Sequence, residues 1–252
     1  NYKQLTFLNE YQLALEFIEE LFIDKNYELF GFGAIQNNFK YLDKESKLFR
    51  ISSNIENDCL NTYDMNKIKE NYKSSIKDLR FDGPTIISNI ITYFKEDMIN
   101  TKLEHFGKSI YEIVYIIIDN QPTDIKSMIK SVIESSQYPI SIVIFGVGQS
   151  KYNQLEELFG FSSKLLLIDD NNNSSKRENC IFLTLPKFPL NLDFILENYL
   201  NKMLRIDNPN EDENENGKEI NKKYEDENLE ELKSKFFKLK TILSKQIIDF
   251  YK

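Results

Sequence analysis

Two oxygen-bearing side chains stand where an α/β sheet would present them to a ligand. Asp119 directly follows the apolar run IVYIII (113–118), and Thr85 directly follows the helix-breaking pair Gly83-Pro84. In open α/β sheets, ligands gather beyond the carboxyl ends of the strands. A carboxylate and a hydroxyl converging there suit a hard cation such as Mg²⁺, which takes oxygen ligands and keeps several waters. Each residue also has an ordinary reading, Asp119 as a turn residue and Thr85 as an N-cap. Asp124 reads as the N-cap of the helix beginning at Ile125 rather than as a ligand. Spacing alone favours these ordinary readings.

Other chemically capable residues do not assemble into a site. His105 is the only histidine, so no Ser/His/Asp triad can form within the chain, and no Gly-x-Ser-x-Gly elbow occurs. Gly107-Lys108-Ser109 echoes the end of a phosphate loop, but Lys102 stands where the earlier glycine is needed. The run also precedes a strand, whereas a phosphate loop must follow one. GFGA (31–34) and GVG (146–148) lack the third glycine of a dinucleotide site and read as close packing at strand ends. Cys59 and Cys180 form no ligand pair, and unpaired cysteines fit a reducing compartment. Asn172 and Asn173 make formal glycosylation sequons within an asparagine run. The expectation is a protein that is not an enzyme.

The elements that must position Asp119 and Thr85 follow from hydrophobic periodicity. Asn9 caps a helix whose Leu13, Phe17 and Leu21 share one face. Residues 28–34 and 48–52 read as strands, and Met65, Ile68, Tyr72 and Ile76 mark a second helix. A third helix begins after Thr85. The run 113–118 reads as a strand buried on both faces. Ile125, Met128, Ile129, Val132 and Ile133 then give the stripe of a helix packed on a sheet. Pro139 opens another buried strand, Gly160 ends a short helix, and 180–185 is a final strand followed by a helix over 192–204. Alternating strands and helices imply βαβ crossovers and a mostly parallel, doubly wound sheet with helices on both faces. Residues 1–252 read as one domain, interrupted over 209–231 by a polar, acid-rich insert expected to be disordered. From Leu239 the chain turns apolar again and is expected to dock as a helix.

The 252 residues carry a net charge of −8, which argues against bulk attraction to nucleic acid or anionic lipid. No apolar run reaches the roughly 18 to 20 residues needed to cross a bilayer. The opening residues lack a basic segment followed by a long apolar one, so a cytoplasmic location is expected.

Several motifs, in order, resemble the copine family and its von Willebrand factor A-like domain. GFGA (31–34) matches a copine strand, and Tyr72, Ser74 and Gly83-Pro84-Thr85 match a Tyr-x-Ser…Gly-Pro-Thr segment. IDNQPTD (118–124) stands for a Thr-Asp-Gly-x-x-Thr-Asp turn, and SVIESSQYPISIVIFGVG (131–148) follows as in copines. RENCIFLTL (177–185) and ILSKQIIDFYK (242–252) echo two later copine segments. The resemblance implies an α/β von Willebrand factor A-like fold with a metal-ion-dependent adhesion site. That site takes Mg²⁺ or Mn²⁺, with Ca²⁺ a further option, through a threonine matched by Thr85 and an aspartate matched by Asp119. The metal's open position would accept an acidic group of a protein partner. Two calcium-dependent, lipid-binding C2-type domains elsewhere in such proteins would recruit the parent protein from the cytoplasm to the plasma membrane.

The remaining ligands come from an Asp-x-Ser-x-Ser turn after the first strand, which has no counterpart in this sequence, and Asn120 replaces the glycine after the metal aspartate. The chain by itself is therefore expected to bind metal weakly or not at all. Without the central first strand it is also expected not to fold stably alone. Two rival readings are the A-domain of a RING-type ubiquitin ligase and a metal-independent scaffold. Two cysteines and one histidine cannot supply a RING within these residues.

Overall fold

The computed structural model describes residues 9–21, 27–35, 41–51, 63–104, 110–161, 166–185 and 215–251. Cys59, His105, the segment 107–109 and the helix expected over 192–204 lie outside them. In chain order the elements are α1 (Glu10–Leu21), β1 (Phe30–Gly31), β2 (Ala34–Ile35), β3 (Phe49–Arg50), α2 (Met65–Ser75), β4 (Arg80–Phe81), α3 (Ser88–Glu104), β5 (Glu112–Ile118), α4 (Ile125–Ser135), β6 (Ile140–Gly146), α5 (Asn153–Phe159), β7 (Cys180–Thr184) and α6 (Glu215–Tyr251).

β5, β6 and β7 form a parallel sheet in that order. The register runs from Glu112↔Ile140 to Ile118↔Gly146, then from Ile142↔Cys180 to Gly146↔Thr184. Because side chains alternate along a strand, each face builds its own core. On one face Val114, Ile116, Ile118, Ile142, Ile144 and Phe182 pack with Ile91 of α3, Met128 and Val132 of α4, and Leu155 of α5. On the other, Val143, Phe145, Ile181 and Leu183 pack with Phe17 and Leu21 of α1, Ile68 of α2, and Leu239 and Leu243 of α6. The fold is thus α/β with a parallel sheet covered by helices on both faces, consistent with a von Willebrand factor A-like domain.

The helix boundaries have local causes. Asn9 and Gln12 form a capping box: Gln12 N–H donates to Asn9 Oδ1 at 2.8 Å, and Asn9 N–H donates to Gln12 Oε1 at 2.9 Å. Asp64 caps α2 by accepting from Lys67 N–H at 2.8 Å. Gly160 ends α5, its N–H bonded to the Glu156 carbonyl.

Two expectations need correction. Residues 28–34 are not one strand of the parallel sheet. The backbone breaks at Gly33, whose φ of +64° is left-handed. β1 therefore pairs antiparallel with β3, and β2 antiparallel with β4. β5 is buried on alternate residues rather than throughout, whereas β6, flanked by a strand on each side, is buried along its whole length. Among the described residues no strand pairs with the outer edge of β5. Helix α6 spans Glu215–Tyr251 and so includes 215–231 of the acid-rich segment, while 209–214 lies outside the described residues. Once the apolar end of a helix is docked, each further residue needs only one backbone hydrogen bond to extend it.

Candidate functional site

Asp119 leaves the carboxyl end of β5 and is exposed, as is Asn120. The loop behind it is held to the loop that follows β6. Ser150 Oγ donates to Asn120 Oδ1 at 2.9 Å, and Gln121 Nε2 donates to Gln154 Oε1 at 2.6 Å. Beneath them the buried Tyr152 hydroxyl lies 3.0 Å from the Ile118 carbonyl oxygen and 2.7 Å from that of Val147. Asn120 occupies a position where the resembling motif has glycine, and its side chain contributes a cross-loop bond that glycine could not.

Thr85 sits in a short irregular segment between the cis Gly83–Pro84 peptide and α3. Helix α3 begins at Ser88, so Thr85 is not its cap. That role belongs to Asp124, on the far side of the loop. One Asp124 oxygen accepts from Ile87 N–H at 3.1 Å, and the other accepts from Ile87 N–H at 3.2 Å and Ser88 N–H at 2.8 Å. Asp124 makes no side-chain cap bond to α4, the helix it precedes. Its neighbour Thr123 donates its backbone N–H to the Thr85 carbonyl at 3.1 Å, with its hydroxyl 3.4 Å from the same oxygen. Thr85 and Asp119 therefore lie on two loops clasped together at the carboxyl edge of the sheet.

The electrostatics centre on Asp119. Burial raises the pKa of Tyr11, and the charge and hydrogen-bonding reach of Asp119 raise it further. Burial likewise raises Tyr152, followed by the Asp119 charge. Two phenols thus lie within reach of this carboxylate's charge, and the Asn120 amide donates to it at 3.1 Å. Among the described residues no lysine or arginine pairs with Asp119. The Thr85 hydroxyl carries no hydrogen bond among them either. Both side chains offer hard oxygen, which suits Mg²⁺ or Mn²⁺ in kind. Among the described residues no cluster of three or more His, Cys, Asp or Glu could hold a metal. Water, a partner's carboxylate or other donors would fill the remaining positions of any ion held here.

Sequence reasoning singled out Thr85, Asp119 and Asp124; Asp124 does hold the N-cap position of α4, but its side chain bonds to the start of α3. It missed Tyr11 and Thr123. No local signal marks Tyr11, which reaches Asp119 from α1, more than a hundred residues away. The other tempting glycines are structural. A Cβ on Gly146 would fall 2.8 Å from Phe182 Cζ and 2.8 Å from Tyr152 Cε2, so this glycine serves packing. Asn173 Nδ2 donates to Asp169 Oδ2 in a tight exposed turn. The Cys180 thiol is free, and burial pushes its pKa up.

A parallel-sheet α/β domain with clasped, oxygen-bearing loops at its carboxyl edge is the class of protein these observations define. The copine family pattern matches residues 3–206, and the chain belongs to that family. It is 31% identical over 180 residues to Copine-F of Dictyostelium discoideum, covering 68% of this chain and 30% of that protein. It is 26% identical over 176 residues to Copine-C of the same organism, covering 70% and 31%. The Nicotinic receptor-associated protein 1 of Caenorhabditis briggsae is 27% identical over 156 residues, covering 60% of this chain and 23% of that protein. The chain spans less than a third of the length of these relatives. Among the described residues no helix is long and apolar enough to cross a membrane.

Proposed function

We propose that this domain is a non-enzymatic protein-interaction module of a copine-like, calcium-dependent phospholipid-binding protein. It grips an acidic side chain of a protein partner through a divalent cation held by Thr85 and Asp119. Membrane phospholipid is bound by other domains of the parent protein, which moves from the cytoplasm to the plasma membrane with calcium. The observation that carries this reading is the exposed Asp119 carboxylate, unpaired with any cation among the described residues and clasped to a loop whose Thr85 hydroxyl is free. The name of one relative, a receptor-associated protein, supports a protein partner.

One observation favours a second reading. The Asn120 amide already donates to Asp119, and Tyr11 lies within reach of its charge, as they would in a scaffold that needs no metal. The two readings separate in the full-length protein. Partners captured from cell extract in Mg²⁺ and in chelator are compared for the wild type, Asp119→Ala and Thr85→Ala. The adhesion-site reading expects capture that chelator and both substitutions abolish. Capture indifferent to all three would identify the scaffold.

A further inference from the structure

We infer that Asp124 is a positioning residue for this site, one that sets Thr85 against the loop bearing Asp119. The inference deepens the metal-site reading and rests on it for its functional consequence, though its geometric claim stands separately. Asp124 occupies the residue before α4, where a carboxylate ordinarily accepts from the first amides of its own helix. Here it makes no such bond. Both of its oxygens turn instead to Ile87 N–H and Ser88 N–H, at 2.8 to 3.2 Å, across 36 to 37 residues of sequence. It thus caps α3 from a neighbouring loop and leaves the start of α4 without that cap.

The consequence falls on Thr85. Two residues separate it from Ile87, and its own carbonyl accepts from Thr123 N–H at 3.1 Å. Residues 123 and 124 therefore hold residues 85, 87 and 88 at three points. Asp119, four residues before Thr123, is fixed from the other side through the Asn120–Ser150 and Gln121–Gln154 bonds. Neither ligand side chain is needed for this clasp. Removing the Asp124 carboxylate releases residues 87 and 88 and leaves the Thr85 loop held only by the Thr123 bond, with both ligand oxygens chemically intact. Groups that orient ligands from behind typically change metal affinity by about 10- to 100-fold.

The test uses the full-length protein, Mn²⁺ as the probe, and a matched control. Asp64→Ala removes a side-chain cap of the same kind from α2, a helix with no part in the clasp. Asp124→Ala is expected to weaken Mn²⁺ binding by about 10-fold or more, Asp124→Asn to restore part of the affinity through its remaining carbonyl oxygen, and Asp64→Ala to leave it unchanged. Hydrogen exchange is read on the same proteins without metal. Amides at 85–88 are expected to exchange faster in Asp124→Ala and not in Asp64→Ala. Equal losses of affinity in the two alanine variants would reduce Asp124 to a contributor to stability and overturn the inference. If the wild type binds no Mn²⁺, the metal-site reading fails and exchange decides the positioning claim: unchanged rates at 85–88 would overturn it.

Discussion

Glu112 opens β5 beside two other acids, Asp97 of α3 and Glu28, and Glu28 is already engaged by Arg50 at 2.6 Å. Burial raises the Glu112 pKa to about 7, with the charges of Asp97 and Glu28 adding to the shift. The sign of the linkage follows. The unfolded chain releases this proton near the ordinary carboxylate value, whereas the folded chain keeps it until about pH 7. Stability from this group is therefore full at acid pH and falls as pH rises from about 4.5 to 7. Glu112→Gln keeps the shape without the charge, and is expected to stabilise the domain above pH 7 by on the order of 2 kcal/mol. Urea melts across pH 5 to 8 read this directly: the substituted protein should lose most of the wild-type slope, and an unchanged slope would exonerate Glu112. At the same scale, sequence showed which residues carry oxygen at Thr85 and Asp119. It could not show that Tyr11 reaches Asp119, because that contact exists only after α1 packs on the sheet.

Elements differ in how far their own sequence determines them. The start of α1 was legible because its cap lies next to the helix it serves, Asn9 with Gln12; α2 was read from its apolar spacing, and its cap, Asp64 with Lys67, is equally local. Asp64→Ala is accordingly expected to cost about 1 kcal/mol in thermal or denaturant melts. The start of α3 was not legible, since its cap arrives from Asp124 on another loop. Strand ends carry a second kind of constraint. At Gly146 the rings of Phe182 and Tyr152 close on the backbone, so Gly146→Ala overpacks the exit of β6 and is expected to cost about 1 to 3 kcal/mol. A melting temperature unchanged by that substitution would mean the two rings can swing aside. The break at Gly33 was missed because a run of apolar residues and glycines looks continuous until tertiary pairing pulls its halves to different partners, β3 and β4.

Across the whole molecule, α6 joins the far end of the chain to the core. Leu239 and Leu243 are fully buried against α1 and β7 residues. Gln246 is buried and meets Ser141 of β6, and the Tyr251 hydroxyl donates to the Ile110 carbonyl at 2.7 Å. Arg177, whose Nη2 donates to the Tyr138 and Ile140 carbonyls at 2.7 Å, lies 5.3 Å from the Phe250 ring and 5.7 Å from that of Tyr111. These contacts predict that α6 unfolds together with the sheet. Leu239→Ala and Leu243→Ala are each expected to destabilise by about 2 to 5 kcal/mol. They should also raise hydrogen exchange in β6 and β7 as well as in α6. Exchange raised in α6 alone would show instead that the helix is an independent appendage.

The sequence by itself determined the α/β class, the order of most strands and helices, and the two faces of the sheet. Those follow from periodicity, and periodicity is written locally in residues such as Ile125, Met128 and Val132. It also placed Thr85 and Asp119 in loops beyond the strands of the sheet. Only the tertiary structure decided that 28–34 splits between two antiparallel pairs and that the Asp124 side chain serves α3. Each of those outcomes depends on which distant backbone group is left in want of a partner, and that is fixed only when the elements have packed.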